Sequence, residues 1–396
     1  MKKARSIVAF LMAAAMLAAT ACSQSGGESS SQGSSAAEGS SAASEASQGG
    51  DGETHDIVYW DMAWGGEDYV KAMENQLQTE LKEAVPGVGD IEYVSLTWDN
   101  FLQVHLTAIN SGTAPDIFTA GFGTGEVFAR MGAVHYLDKI DANEELKAKY
   151  DEATWNARRY EGNMVQIPWM RGVTTIFYRT DMFAKVGYTE SPKTWDEFMD
   201  ALRKVKAEYN IDPFIFDLAG NQSNHLLLLS LLNNGVGCCK YDANNNVVPA
   251  MSDPENKRMI QYLVDMYQEG LVPQSLSTYK RSDLMKVYLD GQAAVFIADL
   301  ALDVVGTELE EVTGVLDVLT GPDSDEQRAL TFYNGLGVFA QSECPELCED
   351  VIVYLINNTA QYFVDGMWEA WPADKETTEL VVENSSNPFY EKGAKN

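Results

Sequence analysis

Histidine is nearly absent from this chain, with 4 in 396 residues. Cysteine is sparse too, with 5. Neither late cysteine pair, Cys238-Cys239 or Cys344 with Cys348, has the spacing of a zinc site completed by histidines, so no metal centre is read from the sequence. Basic residues are few: Lys and Arg total 28 against 59 Asp and Glu, for a net charge of −31. A surface of that sign repels nucleic acid and anionic lipid headgroups, and an anionic ligand would need local basic residues. Long apolar runs are lacking as well. The run Ile7 to Ala19 is too short to span a bilayer.

That run has another reading. Lys2, Lys3 and Arg5 precede it, and the small residues Ala19-Thr20-Ala21 follow, with Cys22 next. This is the pattern of a secretory signal over 1–21. A cysteine at the cut predicts lipidation of Cys22, which would hold the mature chain to the outer face of the cell membrane. Simple secretion is the alternative, because Ala-x-Ala also suits an ordinary signal peptidase. From Ser23 to about Gly52 the chain is almost only Ser, Gly, Ala, Gln and Glu. Such a segment buries too little apolar surface to offset its chain entropy, so 22–53 is expected to be a disordered tether. Outside the cell disulfides are permitted. A Cys344–Cys348 bridge across one helical turn would be strained, and thiols buried as small apolar groups are the alternative.

The remaining chain, from about Thr54, is too long for one comfortable core and fits two lobes. Its pattern alternates strand and helix. Asp56 to Trp60 reads as a buried strand. Glu67 to Ala84 carries Tyr69, Met73, Leu77 and Leu81 at helical spacing, and Ile91 to Leu96 reads as the next strand. Asp99 to Asn110 is a helix, and Asp116-Ile117-Phe118 is a strand entering the loop Gly121-Phe122-Gly123. Val165–Pro168 and Thr174–Tyr178 are strands. Thr194-Trp195-Asp196-Glu197 is a capping box, and Leu226–Leu232 is a buried helix. Asp253-Pro254 opens a helix whose core side is expected to hold Met259, Ile260, Leu263, Val264 and Tyr267. Ala293–Ile297, Leu316–Leu319 and Leu336–Phe339 read as strands and Pro345–Asn357 as a helix. The order implies an α/β fold with crossover connections and ligands beyond the carboxyl ends of strands. Asp242, Asn244 and Asn246 have the spacing of a calcium loop, but Val247 stands where its glycine belongs, and a polar hairpin turn is expected.

Several stretches together resemble a known family. They are Ala108-Ile109-Asn110-Ser111-Gly112-Thr113-Ala114-Pro115-Asp116-Ile117-Phe118, Gly132-Ala133-Val134-His135-Tyr136-Leu137-Asp138, Phe177-Tyr178-Arg179-Thr180-Asp181-Met182-Phe183, Pro192-Lys193-Thr194-Trp195-Asp196-Glu197-Phe198, Gly291-Gln292-Ala293-Ala294-Val295 and Gly335-Leu336-Gly337-Val338. In this order they resemble the extracellular solute-binding proteins of bacterial ABC importers, in the maltose and oligosaccharide branch. The resemblance implies a periplasmic-binding-protein-like fold of type II, with hinges near Ile167–Gly172 and Leu316–Pro322. Lobe one would hold 54–167 with 322–358, and lobe two 168–321 with 359–396.

A sugar site needs flat rings and planar side chains that both donate and accept. The candidate rings are Trp64 after the first strand, Phe122 in the glycine loop and Trp169 beside the first hinge, with Trp368 and Trp371 late in the chain. The resemblance also implies a late stacking tryptophan, which Trp368 or Trp371 would supply. The polar candidates are Glu67, Arg171, Asp299 and Asn334, with His225 in lobe two. For each a plainer role exists: core packing for the tryptophans, helix-dipole stabilisation for Glu67, an inter-lobe ion pair for Arg171. Where sugar receptors often carry Gly and then Trp after the Gly-Gln-Ala-Ala-Val stretch, this chain has Asp299-Leu300-Ala301.

The function expected is a tethered, monomeric receptor that passes a carbohydrate, an oligosaccharide, to an ABC permease, with no cofactor and no metal. The same fold serving a polyamine or other cation is the alternative, favoured by the net charge and Asp299. A secreted glycosidase is the remote alternative, since no acid pair sits on a recognisable catalytic scaffold.

Overall fold

The computed structural model describes residues 54–394 apart from 99, 122, 219–221, 245, 280 and 369, and it leaves out the side chains at 222, 223, 281 and 282. The signal, the Cys22 lipidation, the 22–53 tether and Phe122 therefore lie outside the described residues. None of the described helices is long and apolar enough to cross a membrane.

Two sheets organise the chain. The larger has seven strands, in the order Trp371–Pro372, Ile167–Val173, Thr331–Phe339, Ile117–Ala120, His55–Met62 and Val88–Leu96, with Val134–His135 paired to Thr331–Phe339. His55–Met62 runs parallel to both Val88–Leu96 and Ile117–Ala120. Thr331–Phe339 joins this sheet antiparallel to Ile117–Ala120 and Ile167–Val173. The smaller sheet has four strands, Thr313–Val315, Thr175–Arg179, Val295–Ala298 and Phe214–Ile215.

Local chemistry explains the elements. Tyr69, Met73, Leu77 and Leu81 are all buried at their helical spacing, although the helix is split at Thr79 into Glu67–Gln78 and Glu80–Ala84. The Thr194 hydroxyl accepts from the Glu197 amide at 3.2 Å and starts the helix Trp195–Tyr209, whose Phe198, Leu202 and Val205 are buried. Asp242 accepts from the Asn244 and Asn246 amides, each at 2.8 Å, closing a polar hairpin turn. All four described cysteines are free thiols.

Two expectations are corrected. In the helix Pro254–Gln268 the buried side chains are Asn256, Met259 and Met266, while Val264 and Tyr267 are exposed. The buried stripe is thus narrower than the apolar stripe, because only a small arc of this helix meets the body. Leu316–Leu319 is irregular, and the strand lies just upstream at Thr313–Val315.

The chain changes sheets between Val173 and Thr175, and again between Val315 and Thr331. The first change lies just beyond the expected hinge at 167–172, and the second interval contains the expected 316–322. The Thr174 amide donates to the Leu330 carbonyl at 3.0 Å, tying the two passages together. The segment 359–396, expected wholly in the second lobe, is divided. Trp371–Pro372 pairs with Ile167–Val173 in the larger sheet. Phe389 instead packs on Phe177 of the smaller sheet at 5.5 Å, and the Lys392 ammonium donates to the Thr313 carbonyl at 2.9 Å.

Candidate functional site

The first strand ends in a buried acid. Asp61 interrupts the apolar run of His55–Met62 and is fully inaccessible to solvent. Its carboxylate accepts from Thr119 Oγ1 at 2.7 Å, from Trp64 Nε1 at 2.8 Å, from the Met62 amide at 2.8 Å and from Tyr93 Oη at 2.9 Å. The Tyr69 hydroxyl also donates to it. Burial pushes the Asp61 carboxyl above its ordinary value, and the hydrogen bonds from Thr119, Tyr69, Trp64 and Tyr93 oppose that rise. Donors so arranged make the acid an anchor for the loop that follows.

That loop, Ala63–Gly66, and the helix start Glu67–Tyr69 form one wall of a groove of about 840 Å³. Leu302 and Asp303, beyond the strand Val295–Ala298 of the smaller sheet, form another side, and Asp365–Met367 the third. Gly65 allows the close approach, since a Cβ there would stand 2.3 Å from the Met367 carbonyl oxygen. Trp64 is half-buried, and its ring meets Trp98 edge-on at 5.0 Å. Glu67 and Asp68 stand at the start of their helix and are almost fully exposed; both pair with Lys71, Glu67 at 3.3 Å. With Asp303 and Asp365, the groove carries four carboxylates around one indole.

A second cavity, of about 330 Å³, lies where the chain changes sheets. Arg171, Thr175, Leu316, Asp317, Thr331 and Trp371 are among its lining residues, and most of the lining is apolar. The Arg171 guanidinium lies 5.9 Å from the Trp371 ring centroid.

The profile of the bacterial extracellular solute-binding protein family matches residues 64–362. The chain belongs to this family. A sugar transporter from Arthrobacter chlorophenolicus A6, solved with bound laminaribiose, superposes on it with a TM-score of 0.71 at 23% identity, covering 85% of this chain and 86% of that one. The maltose-bound MalE3 of T. maritima gives 0.72 at 20% identity, covering 86% and 87%. These likenesses establish the fold: two α/β lobes, as in periplasmic binding proteins. Among curated relatives, a binding protein of Brucella abortus is 23% identical over 224 residues, 55% of this chain and 53% of the relative. The diacetylchitobiose binding protein DasA of Streptomyces coelicolor is 25% identical over 158 residues, 40% of this chain and 36% of the relative. The match thus spans about half the length of the first of these and less of the second.

This solute-binding protein distributes the residues singled out from its sequence unevenly. Trp64 and Glu67 line the groove. Trp169, 3% exposed, donates its indole N–H to Thr359 Oγ1 at 3.2 Å and packs edge-on against Trp368 at 5.1 Å. Trp368 is fully buried among Tyr69, Tyr362 and Phe363. Both rings are core packing in this structure rather than cleft wall: Tyr69 of the helix Glu67–Gln78, with Tyr362 and Phe363, covers Trp368, and Trp368 and Thr359 cover Trp169. Trp371 and Arg171 meet at the second cavity instead of the groove. Asn334 is buried on the strand Thr331–Phe339, at its register shift, with its amide oxygen toward Gly121. Asp299 is half-buried just after Val295–Ala298, while Asp303, four residues on, reaches the groove. His225 packs against Phe332 at 4.9 Å, and burial pushes its imidazole below the ordinary value.

Asp61, Asp303 and Asp365 were not anticipated. A signal for Asp61 did exist, as an acid inside an otherwise buried strand has to find donors. Asp303 and Asp365 gave none, since the short helical turn Leu302–Val304 and the end of the helix Ala360–Val364 are brought to the groove only by the fold.

Proposed function

We propose that this chain captures a carbohydrate, most simply an oligosaccharide, in the groove beside Trp64 and delivers it to an ABC permease. The observation that carries this reading is the Asp61–Trp64 pair. The indole N–H is satisfied internally, so the ring is held at a fixed angle beside the groove while part of it stays exposed. A fixed aromatic face with planar carboxylates around it suits the C–H faces and hydroxyls of a sugar. The names of the relatives point the same way: DasA binds diacetylchitobiose, and the Arthrobacter protein was solved with laminaribiose. In this reading the signal is removed, Cys22 carries the lipid, the tether holds the folded body clear of the outer membrane face, and the receptor acts as a monomer without cofactor. The lobes close by hinging at the two sheet-changing passages. Catalysis has no part in the proposal.

A second reading is a polyamine or another organic cation. Glu67, Asp68, Asp303 and Asp365 around the groove favour it. Isothermal titration and thermal shift against a panel of oligosaccharides and polyamines decide between them. A ligand at about 100 times its Kd raises stability by about 2.7 kcal/mol. Stabilisation by a glycan but not by spermidine supports the first reading; the reverse result replaces it with the second.

A further inference from the structure

The parallel strands that deliver Asp61 and its loop to the groove have an opposite end, where another set of side chains meets. Asp116 stands immediately before Ile117–Ala120, at the amino-terminal end of that strand. Cys344 follows the antiparallel strand Thr331–Phe339 and caps the helix Pro345–Asn358, with Cys348 in its first turn. A carboxylate oxygen of Asp116 and the two sulfurs all lie within 4.8 Å of one another. The sulfurs are 4.0 Å apart. Cys348 is fully buried, and Asp116 and Cys344 are half-buried, so the cluster is enclosed yet within reach of an ion from solvent.

We propose that Cys344, Cys348 and Asp116 form a binding site for a thiophilic divalent cation of the zinc class, with the fourth position left to water. The spacing fits. Two sulfurs at about 2.3 Å from a tetrahedral ion stand about 3.8 Å apart, close to the separation observed. The carboxylate is already oriented: Asp116 Oδ2 accepts from the Val58 amide at 2.8 Å, while the Asp116 backbone pairs with Val58 and Phe339 at 2.9 Å each. Such outer hydrogen bonds fix a ligand before the ion arrives. The Ser342 hydroxyl, 3.6 Å from the Cys348 sulfur, is a further polar neighbour of the thiols. The sequence hides this site because its third ligand comes from a distant part of the chain. Bound there, the ion would tie the entry of one central strand to the helix that follows another.

The test uses the full chain, reduced and stripped of metal under nitrogen, titrated with Co²⁺ as a coloured substitute for Zn²⁺. One equivalent is expected to give a sulfur-to-cobalt charge-transfer band with the visible bands of a tetrahedral site, and Zn²⁺ should erase both. Cys344→Ser should abolish the charge-transfer band. Asp116→Asn should raise the titration midpoint by about tenfold or more. Replacing both Cys238 and Cys239 by Ser should change nothing. In the unsubstituted protein, Zn²⁺ should shield Cys344 from iodoacetamide, a readout that does not depend on any variant folding. The proposal is overturned by a folded, reduced protein with no charge-transfer band, by a band that follows Cys238 and Cys239, by unchanged alkylation in Zn²⁺, or by a Cys344–Cys348 disulfide in the protein as isolated.

Discussion

The Trp64 indole N–H and the Asp61 carboxylate stand 2.8 Å apart, at the point where the first strand becomes a groove wall. The same carboxylate holds Thr119 on the neighbouring strand to one side and Tyr93 on the neighbouring strand to the other, so the ring angle is set by the sheet rather than by the loop. Asp61→Ala leaves these donors buried without an acceptor. It is expected to lower stability by about 3 kcal/mol or more in urea unfolding and to weaken ligand binding. Asp61→Asn, which keeps one acceptor oxygen, should cost less on both counts.

Two tryptophan substitutions should separate binding from packing. Trp64→Ala should weaken carbohydrate binding three- to tenfold, about 0.5–1.5 kcal/mol, with a small change in melting temperature. Trp368→Ala should do the opposite and destabilise by about 3–5 kcal/mol, since it empties a site enclosed by four aromatic rings. Equal losses of melting temperature in the two variants would show that Trp64 is core as well.

His105 predicts a dependence on pH. Its ring is buried among Phe118, Phe128 and Phe339, with Nδ1 2.8 Å from the Phe101 carbonyl and Nε2 unpartnered. Burial pushes the imidazole below its ordinary 6.5. The unfolded chain then takes up a proton before the folded one does, so stability contributed by the neutral ring is lost as pH falls below 6.5. Denaturant unfolding between pH 7 and pH 5 should show that decline, and His105→Phe should reduce it, with the remainder carried by His225, whose imidazole burial also holds below its ordinary value.

The strand Thr331–Phe339 should not tolerate side chains at its two glycines. A Cβ on Gly335 would stand 2.6 Å from the Ile167 carbonyl oxygen, and one on Gly337 would stand 2.6 Å from the Phe118 ring. Either substitution to Ala is expected to cost about 1–3 kcal/mol, measured by thermal or urea unfolding, with Gly335 the harsher because backbone cannot yield.

The acidic rim of the groove gives a further discriminating measurement. If the ligand is a neutral sugar, Glu67→Gln should alter affinity little, and raising salt from 50 to 500 mM should leave it almost unchanged. An organic cation would lose affinity in both experiments, because exposed charges at the rim are screened.

Much of the fold was legible because its signals are local. The spacing of Tyr69, Met73, Leu77 and Leu81, the Thr194 cap and the β-rich run ending at Trp60 each state a preference of a few neighbouring residues, and the fold keeps them. The site was legible only in part. Trp64 could be named as a candidate because it closely follows a strand, but nothing local marked it as the ring that stays exposed. Trp169 and Trp368 look no different in sequence, yet both are walled in by residues distant along the chain: Trp368 by Tyr69 of the helix Glu67–Gln78 and by Trp169, and Trp169 by Thr359 and Trp368. Val264 and Tyr267 failed for a related reason: periodicity shows that a helix has an apolar face, but not how much of that face finds a partner.

The sequence by itself determined most of the elements, their order, the acidic character and the family, because propensity, capping and hydrophobic period act over a few residues at a time. Only the tertiary structure decided which tryptophan stays exposed beside the groove, that Asp61 holds it, and that Asp116 meets Cys344 and Cys348. Those outcomes depend on contacts between residues distant along the chain, and such contacts are fixed by how the sheets close and by which surfaces are left over once they have.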